Sequence, residues 1–255
     1  MDIFSDCPDG LAELFAGFRL GIAGCGGIGS NAASMLARSG VMKLTVADFD
    51  RVEPGNLNRQ FFFADQIGRS KAAALRENLR RINPKISVDS HNVRVSPENL
   101  REVFGDCDIL VEAFDDAEAK AMLIEEWSSV FPEKLLVACS GVAGTGNHCR
   151  IVTRRAENLY IVGDGTSNLS KGTFSARVMA VAALMVTEIY HYLAGNVCTK
   201  TCCELPETSE PRLFCSGREV PLSGFPGKML EGTVRGMIST LKDTDSDGPI
   251  VLELP

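Results

Sequence analysis

Arg19-Leu20-Gly21-Ile22-Ala23, running straight into Gly24-Cys25-Gly26-Gly27-Ile28-Gly29, sets the architecture expected of this chain. The apolar run reads as a buried strand. Gly27 to Ser39, with Ile28, Ala32, Met35 and Leu36 on one face, reads as a helix, so the glycines fall in a tight strand-to-helix turn. Glycines there let backbone amides approach a phosphate, and the helix start turns its N–H groups and positive dipole end toward the anion. Such a turn is shared by many nucleotide-binding sheets, so it predicts a fold more firmly than a reaction.

Outward from that turn, strand and helix keep alternating. Lys43 to Ala47 reads as a second strand, Ser70 to Ile82 as a helix stopped by Asn83-Pro84, and Ile86 to His91 as a strand. Ile109 to Glu112 and Leu135 to Cys139 flank a helix over Ala117 to Phe131. This rhythm predicts an α/β fold: a doubly wound, Rossmann-like, mostly parallel sheet, with an antiparallel extension after Gly146. Val178 to Val186, the longest apolar stretch, falls short of the ~20 residues that span a bilayer and reads as a buried helix.

Length and charge narrow the classes. With 255 residues the chain has room for one sizeable domain and an appendage. We expect a main domain over 1–196, a linker over 197–211 and a small hairpin-helix-strand appendage over 212–255. In the appendage, Arg212 to Leu222 alternates around Ser216-Gly217, Met229, Leu230, Val234, Ile238 and Leu241 share a helical face, and Ile250 to Leu254 reads as a strand. A net charge of −7 argues against a nucleic-acid surface, although Arg59, Arg69 and Lys71 form a local basic cluster suited to a triphosphate. Nine cysteines without a regular framework, and an acidic start without a secretory pattern, point to a reducing, cytoplasmic setting without disulfides or a membrane anchor.

At this point the chain resembles the ThiF/MoeB/HesA superfamily, the ubiquitin-activating-like adenylyltransferases of small sulfur carriers, over residues 19 to 193. The resemblance rests on Gly24-Cys25-Gly26-Gly27-Ile28-Gly29-Ser30, Asp48-Phe49-Asp50, Asn56-Leu57-Asn58-Arg59-Gln60, Gly68-Arg69-Ser70-Lys71, Ile82-Asn83-Pro84 and Glu112-Ala113-Phe114-Asp115. Glu112 to Asp115 and Cys139 to Gly144 are most similar to the shorter second group of ThiF proteins, tied to thiamine biosynthesis. The resemblance implies an ATP- and Mg²⁺-dependent enzyme, a carrier partner ending in Gly-Gly and a homodimer. A thinner similarity links Gly217 to Leu222, Phe225 and Gly236 to Lys242 to the C-terminal segment of MobB proteins, which brings molybdopterin biosynthesis in as a rival pathway.

The chemistry assigns roles. Attack of a carboxylate on the α-phosphate of ATP joins two anions, so catalysis there rests on positioning and charge screening. Gly24, Gly26, Gly27 and Gly29 are expected to cradle phosphate. Asp48, ending the second strand, suits a pair of ribose hydroxyls, with Asp50 supporting its loop. Arg59 offers a planar fork and Lys71 a point charge to the phosphates; Asn56 is a further nucleotide-binding candidate. Asp115, following the fourth strand, suits the Mg²⁺ that bridges phosphates. Both the cations and Asp115 also match positions that the family uses.

Other readings stay open: a related adenylating enzyme acting on threonylcarbamoyladenosine in tRNA, or a dinucleotide oxidoreductase using Asp48 as its ribose ligand. Zinc is not expected, because Cys139 and Cys149 lack the paired Cys-x-x-Cys spacing and Cys198, Cys202 and Cys203 form a single cluster. The N-terminal segment offers only Arg19 where relatives carry an arm reaching the partner subunit's ATP. Arg154 to Lys171 holds no cysteine for a sulfur relay, leaving Cys198, Cys202 and Cys203 as candidates that read more simply as linker thiols. His91, His148 and His191 have no partner at catalytic spacing and read as structural.

Overall fold

The structure, a computed structural model, describes residues 3–146, 150–167, 170, 172–195, 213–215 and 218–220. Packing divides the chain into a unit of residues 1–203 and a second of 204–255. In the first, α1 (Leu11–Ala16) precedes β1 (Arg19–Ala23), α2 (Gly27–Arg38), β2 (Lys43–Ala47), α3 (Lys71–Ile82), β3 (Ser87–His91), α4 (Pro97–Phe104) and β4 (Ile109–Glu112). There follow α5 (Ala117–Val130), β5 (Leu135–Cys139), β6 (Val152–Ala156), β7 (Leu159–Gly163) and α6 (Ser175–Leu193).

The seven strands lie in the order β3-β2-β1-β4-β5-β7-β6, and every neighbouring pair is parallel except β6 with β7. Helices cover both faces, so β4 and β5 are buried at every residue, while the outer strands β3 and β6 carry the polar sequences Ser87-Val88-Asp89-Ser90-His91 and Val152-Thr153-Arg154-Arg155-Ala156. Side chains alternate between two apolar clusters. Ile109 and Val111 join one with Leu20, Ile22, Leu36, Val181 and Met185, and Leu110 joins the other with Leu100, Phe104, Leu123 and Trp127.

The antiparallel extension expected after Gly146 is present, and the structure adds the order of its strands. β6 and β7 do form an antiparallel hairpin, turning at Glu157, whose φ is +51°. The chain, however, places β6 outermost and returns β7 inside it, where β7 pairs in parallel with β5 through Leu136↔Leu159 and Val137↔Tyr160. The apolar stretch Val178 to Val186 forms the middle of α6, which packs along α2 and buries Val178, Val181, Ala182, Met185 and Ile189.

In the second unit, β8 (Leu213–Cys215) pairs antiparallel with β9 (Arg218–Val220), as the alternation around Ser216-Gly217 anticipates. The expected 197–211 linker, the amphipathic face from Met229 to Leu241 and the strand Ile250 to Leu254 lie outside the described residues.

Candidate active site

Strand order reverses between β1 and β4, which opens a crevice at their carboxyl ends, the usual ligand position in such sheets. The glycine turn forms its floor. Gly24 has a φ of +95°, and a Cβ there would meet the Ala113 carbonyl oxygen at 2.8 Å and the Phe114 ring at 3.1 Å; a Cβ on Gly29 would overlap the Gly24 carbonyl. Helix α2 begins directly on this turn with Gly26 as its N-cap and no capping side chain, leaving first-turn N–H groups for a ligand or water. Cys25 is wholly buried and burial pushes its thiol well up, so the cysteine within the turn packs rather than reacts.

Asp48, just past β2, is only 9% exposed. Its Oδ2 accepts the Cys25 N–H at 2.6 Å and its Oδ1 the Asp50 N–H at 2.7 Å, tying the loop to the glycine turn. Burial raises its pKa, and the Asp50 and Cys25 amides pull the other way. A carboxylate has about four acceptor sites, so two amides leave room for two ribose hydroxyls. Lys71 opens α3, is 7% exposed, and places Nζ 2.9 Å from Asp50 Oδ2. Asp50 is thus the counter-ion of Lys71.

Arg59 lies in the loop after β2, its Cγ 3.5 Å from where a Gly27 Cβ would sit. Its Nη1 donates to Gly55 O and Asn58 Oδ1, both at 2.9 Å. Asn56 serves the loop itself, Oδ1 accepting the Glu53 N–H at 3.0 Å. Arg69 pairs on the surface with Glu77 at 2.6 Å.

The groups that hold Arg59 are ones the motif reading left unassigned. Asn31 Nδ2 donates to Gly27 O at 2.6 Å and to Arg59 O at 2.8 Å. Ser30 Oγ donates to Gly26 O at 2.6 Å and accepts the Phe61 N–H at 2.9 Å. From the other side Asn78 Nδ2 donates to Phe61 O at 2.9 Å and exchanges hydrogen bonds with the Gln66 amide. Gln60, also buried, brings Nε2 within 3.9 Å of a Gly26 Cβ position. The available signal was polar Ser30 and Asn31 beside the buried alanines of α2, since a buried amide must find partners.

On the β4 side, Asp115 stands exposed on the loop over the glycine turn, while Asp116 caps α5 by accepting the Ala119 N–H at 2.8 Å. No cluster of three metal-ligating side chains occurs among the described residues. One open carboxylate fits Mg²⁺, which usually takes one or two carboxylates and completes its shell with phosphates and water. Cys149, Cys198, Cys202, Cys203 and His148 lie outside the described residues; His91 Nε2 is 3.3 Å from Asp89 Oδ2 at the sheet's edge.

The fourth boundary is the start of α6, where Val178 Cγ1 is 2.9 Å from a Gly27 Cβ position. Beside it Arg177 donates to Asp164 Oδ2 at 2.5 Å and to Gly146 O at 3.0 Å, joining the segments after β5 and β7. Burial works against the Asp164 charge, but the Ser167 and Thr166 amides, the Ser167 hydroxyl and Arg177 prevail and hold its pKa at about 2.

Comparison with known proteins fits this geometry. The chain is 49% identical over 75 residues to ubiquitin-like modifier-activating enzyme 5 of Dictyostelium discoideum, covering 29% of this chain and 20% of that protein. It is 43% identical over 89 residues to the Gallus gallus protein of that name, covering 35% and 22%. The matched segments thus span about a fifth of these curated relatives. Among solved structures, E. coli tRNA N6-threonylcarbamoyladenosine dehydratase, TcdA, superposes with a TM-score of 0.69 at 22% identity over 76% of this chain and 92% of that one. It has also been solved with ATP. E. coli MccB, solved with ATP, gives 0.58 at 22% identity over 73% and 58%. At these identities the likeness concerns the fold. The ThiF family profile matches residues 4–221, beyond the 19–193 of the motif resemblance and through the β8–β9 hairpin, so this chain belongs to the ThiF family.

Proposed function

We propose that this chain is an ATP-dependent adenylyltransferase that activates the C-terminal glycine carboxylate of a ubiquitin-like sulfur carrier, ThiS-like or MoaD-like. The carboxylate oxygen attacks the α-phosphorus, an acyl adenylate forms and pyrophosphate leaves. The observation that carries the reading is the convergence around one glycine turn of Asp48, pinned for ribose, with Lys71 and the Arg59 stem, held from two helices, and the Asp115 loop packed on Gly24. Arg59 and Lys71 would screen the charge that builds on the phosphates, and Asp115 would hold a Mg²⁺, which would supply further charge screening there. Membership of the ThiF family and the ATP complexes of the two E. coli neighbours support this use of the site. In the same reading 1–196 form the adenylating domain, 197–211 a linker and 212–255 an appendage that handles partners, in a homodimer.

The fold likeness to the tRNA-modifying dehydratase favours a second substrate class, an RNA carboxylate, against which the net charge of −7 weighs. Pyrophosphate exchange into ATP separates the two: carriers or peptides ending in Gly-Gly support it and threonylcarbamoyl-tRNA does not. Arg59→Ala and Asp115→Asn each lower exchange by about 30- to 1,000-fold, the loss of about 2–4 kcal/mol of transition-state stabilisation. Wild-type exchange in both variants, or tight NAD binding without ATP binding, overturns the reading.

A further inference from the structure

Glu112 ends β4 directly before the Asp115 loop and is 0% exposed. Its two oxygens are divided between loop and helix. Oε1 accepts the Phe114 N–H at 2.7 Å, and Oε2 lies 2.5 Å from Lys120 Nζ. Lys120, in the second turn the chain makes into α5, also reaches Cys139 Sγ at 3.7 Å, at the end of β5. One ammonium thus joins the ends of two neighbouring strands and the helix that follows the loop. Burial raises the Glu112 pKa while Lys120 and the Phe114 and Cys139 amides pull it down; burial works against the Lys120 charge, and Cys139 and Glu112 outweigh it. Burial pushes the Cys139 thiol itself up to about 11, and its Sγ accepts from Lys120 Nζ.

A buried ion pair is a poor source of stability, because desolvating two charges offsets most of their attraction and an apolar pair of like volume often serves as well. What the pair does supply is direction. Phe114, whose amide it holds, packs at 3.1 Å from a Gly24 Cβ position, and Asp115 is the next residue. We propose that the Glu112–Lys120 pair, braced on Cys139, is a positioning device that fixes the β4–α5 loop against the glycine turn and so sets where Asp115 presents its carboxylate to the nucleotide-borne metal. This rests on the adenylation reading for the role of Asp115, and not for the placement of the loop.

The two parts are read separately on the full chain. In ligand-free protein, Lys120→Met speeds amide hydrogen exchange at Phe114 by about tenfold or more while leaving the later turns of α5 protected. With ATP as probe, magnesium tightens binding of the wild type relative to ATP in EDTA. Lys120→Met cuts that advantage by about tenfold, as loss of a group that orients a metal ligand does, and leaves metal-free ATP affinity as it was. Lys120→Arg restores most of it. In an Asp115→Asn background, Lys120→Met changes the advantage less than about twofold, because the loop no longer has a carboxylate to place. If Lys120→Met does not fold, Glu112→Gln, which keeps the shape and an oxygen for the Phe114 amide, is measured in its place with the same direction of change. Unchanged exchange at Phe114, or an equal fall in affinity with and without magnesium, overturns the proposal. An unchanged magnesium advantage in Asp115→Asn alone sinks the metal role of Asp115, and the Phe114 exchange then decides the placement claim by itself.

Discussion

Two cations in this chain, Lys71 and Arg155, keep different company. Lys71 faces Asp50, whose side chain is 48% exposed, so the pair opens onto solvent at the mouth of the crevice. Arg155 of β6 faces Glu188 of α6, 6% exposed, through Nη2 bonds at 2.7 and 2.8 Å to both carboxylate oxygens and an Nε bond at 3.2 Å, and Thr153 Oγ1 adds a fourth at 2.8 Å. The first cation has a partner that water or a phosphate can replace. The second sits in a network closed on the protein itself. An ion pair can serve a ligand when the carboxylate partner is left accessible and serves the frame when that carboxylate is enclosed.

Breaking the closed pair gives the largest effect. Arg155→Met leaves Glu188 buried without its counter-ion and costs about 3–5 kcal/mol of stability, read as a fall in Tm, while ATP affinity of the folded protein stays at wild type. A large loss of ATP affinity at unchanged Tm would erase the distinction. Lys71→Met should behave in reverse: ATP binding weakens by about 10- to 150-fold, the worth of one charge-assisted contact, while stability falls little because Asp50 is hydrated. Calorimetry with ATP and a thermal melt on the same sample test both halves.

The smallest effect sharpens the comparison through pH. The folded-state pKa of Asp164, about 2, lies below its ordinary 3.8, so its stabilising share is complete above the ordinary value and disappears as pH falls through about 2. The Tm deficit of Asp164→Asn is therefore constant above roughly pH 5 and shrinks toward zero as acid is added. A deficit that grows on acidification would mean that Asp164 is not held as an anion by Arg177 and the 166–167 amides.

Much of this was legible in the chain. β1, β2, β4 and β5 stand where their apolar runs place them, and the helices α2, α3 and α5 differ from expectation by a residue at an end. Hydrophobic period and glycine punctuation are local properties, which is why they can be read without neighbours. Short α1 and α4 escaped: each is brief, and α4 announces itself only through the Ser96 cap and its reciprocal bond with Asn99. The candidate positions of Asp48, Arg59 and Lys71 were readable because their motifs cluster in sequence. The roles of Ser30, Asn31, Gln66 and Asn78 were not, since their partners lie on other elements.

By itself the sequence determined the alternation of strands and helices, the glycine turn and the set of charged residues available to a nucleotide. Tertiary structure alone decided that β7 runs beside β5 with β6 outside it, that Asp50 is the counter-ion of Lys71, that Arg69 pairs with Glu77, and that Glu112 and Lys120 meet under the Asp115 loop. For the charged residues the physical reason is the same: a charge chooses its partner by burial and proximity in the folded chain, and neither is encoded in the spacing of the residues along it.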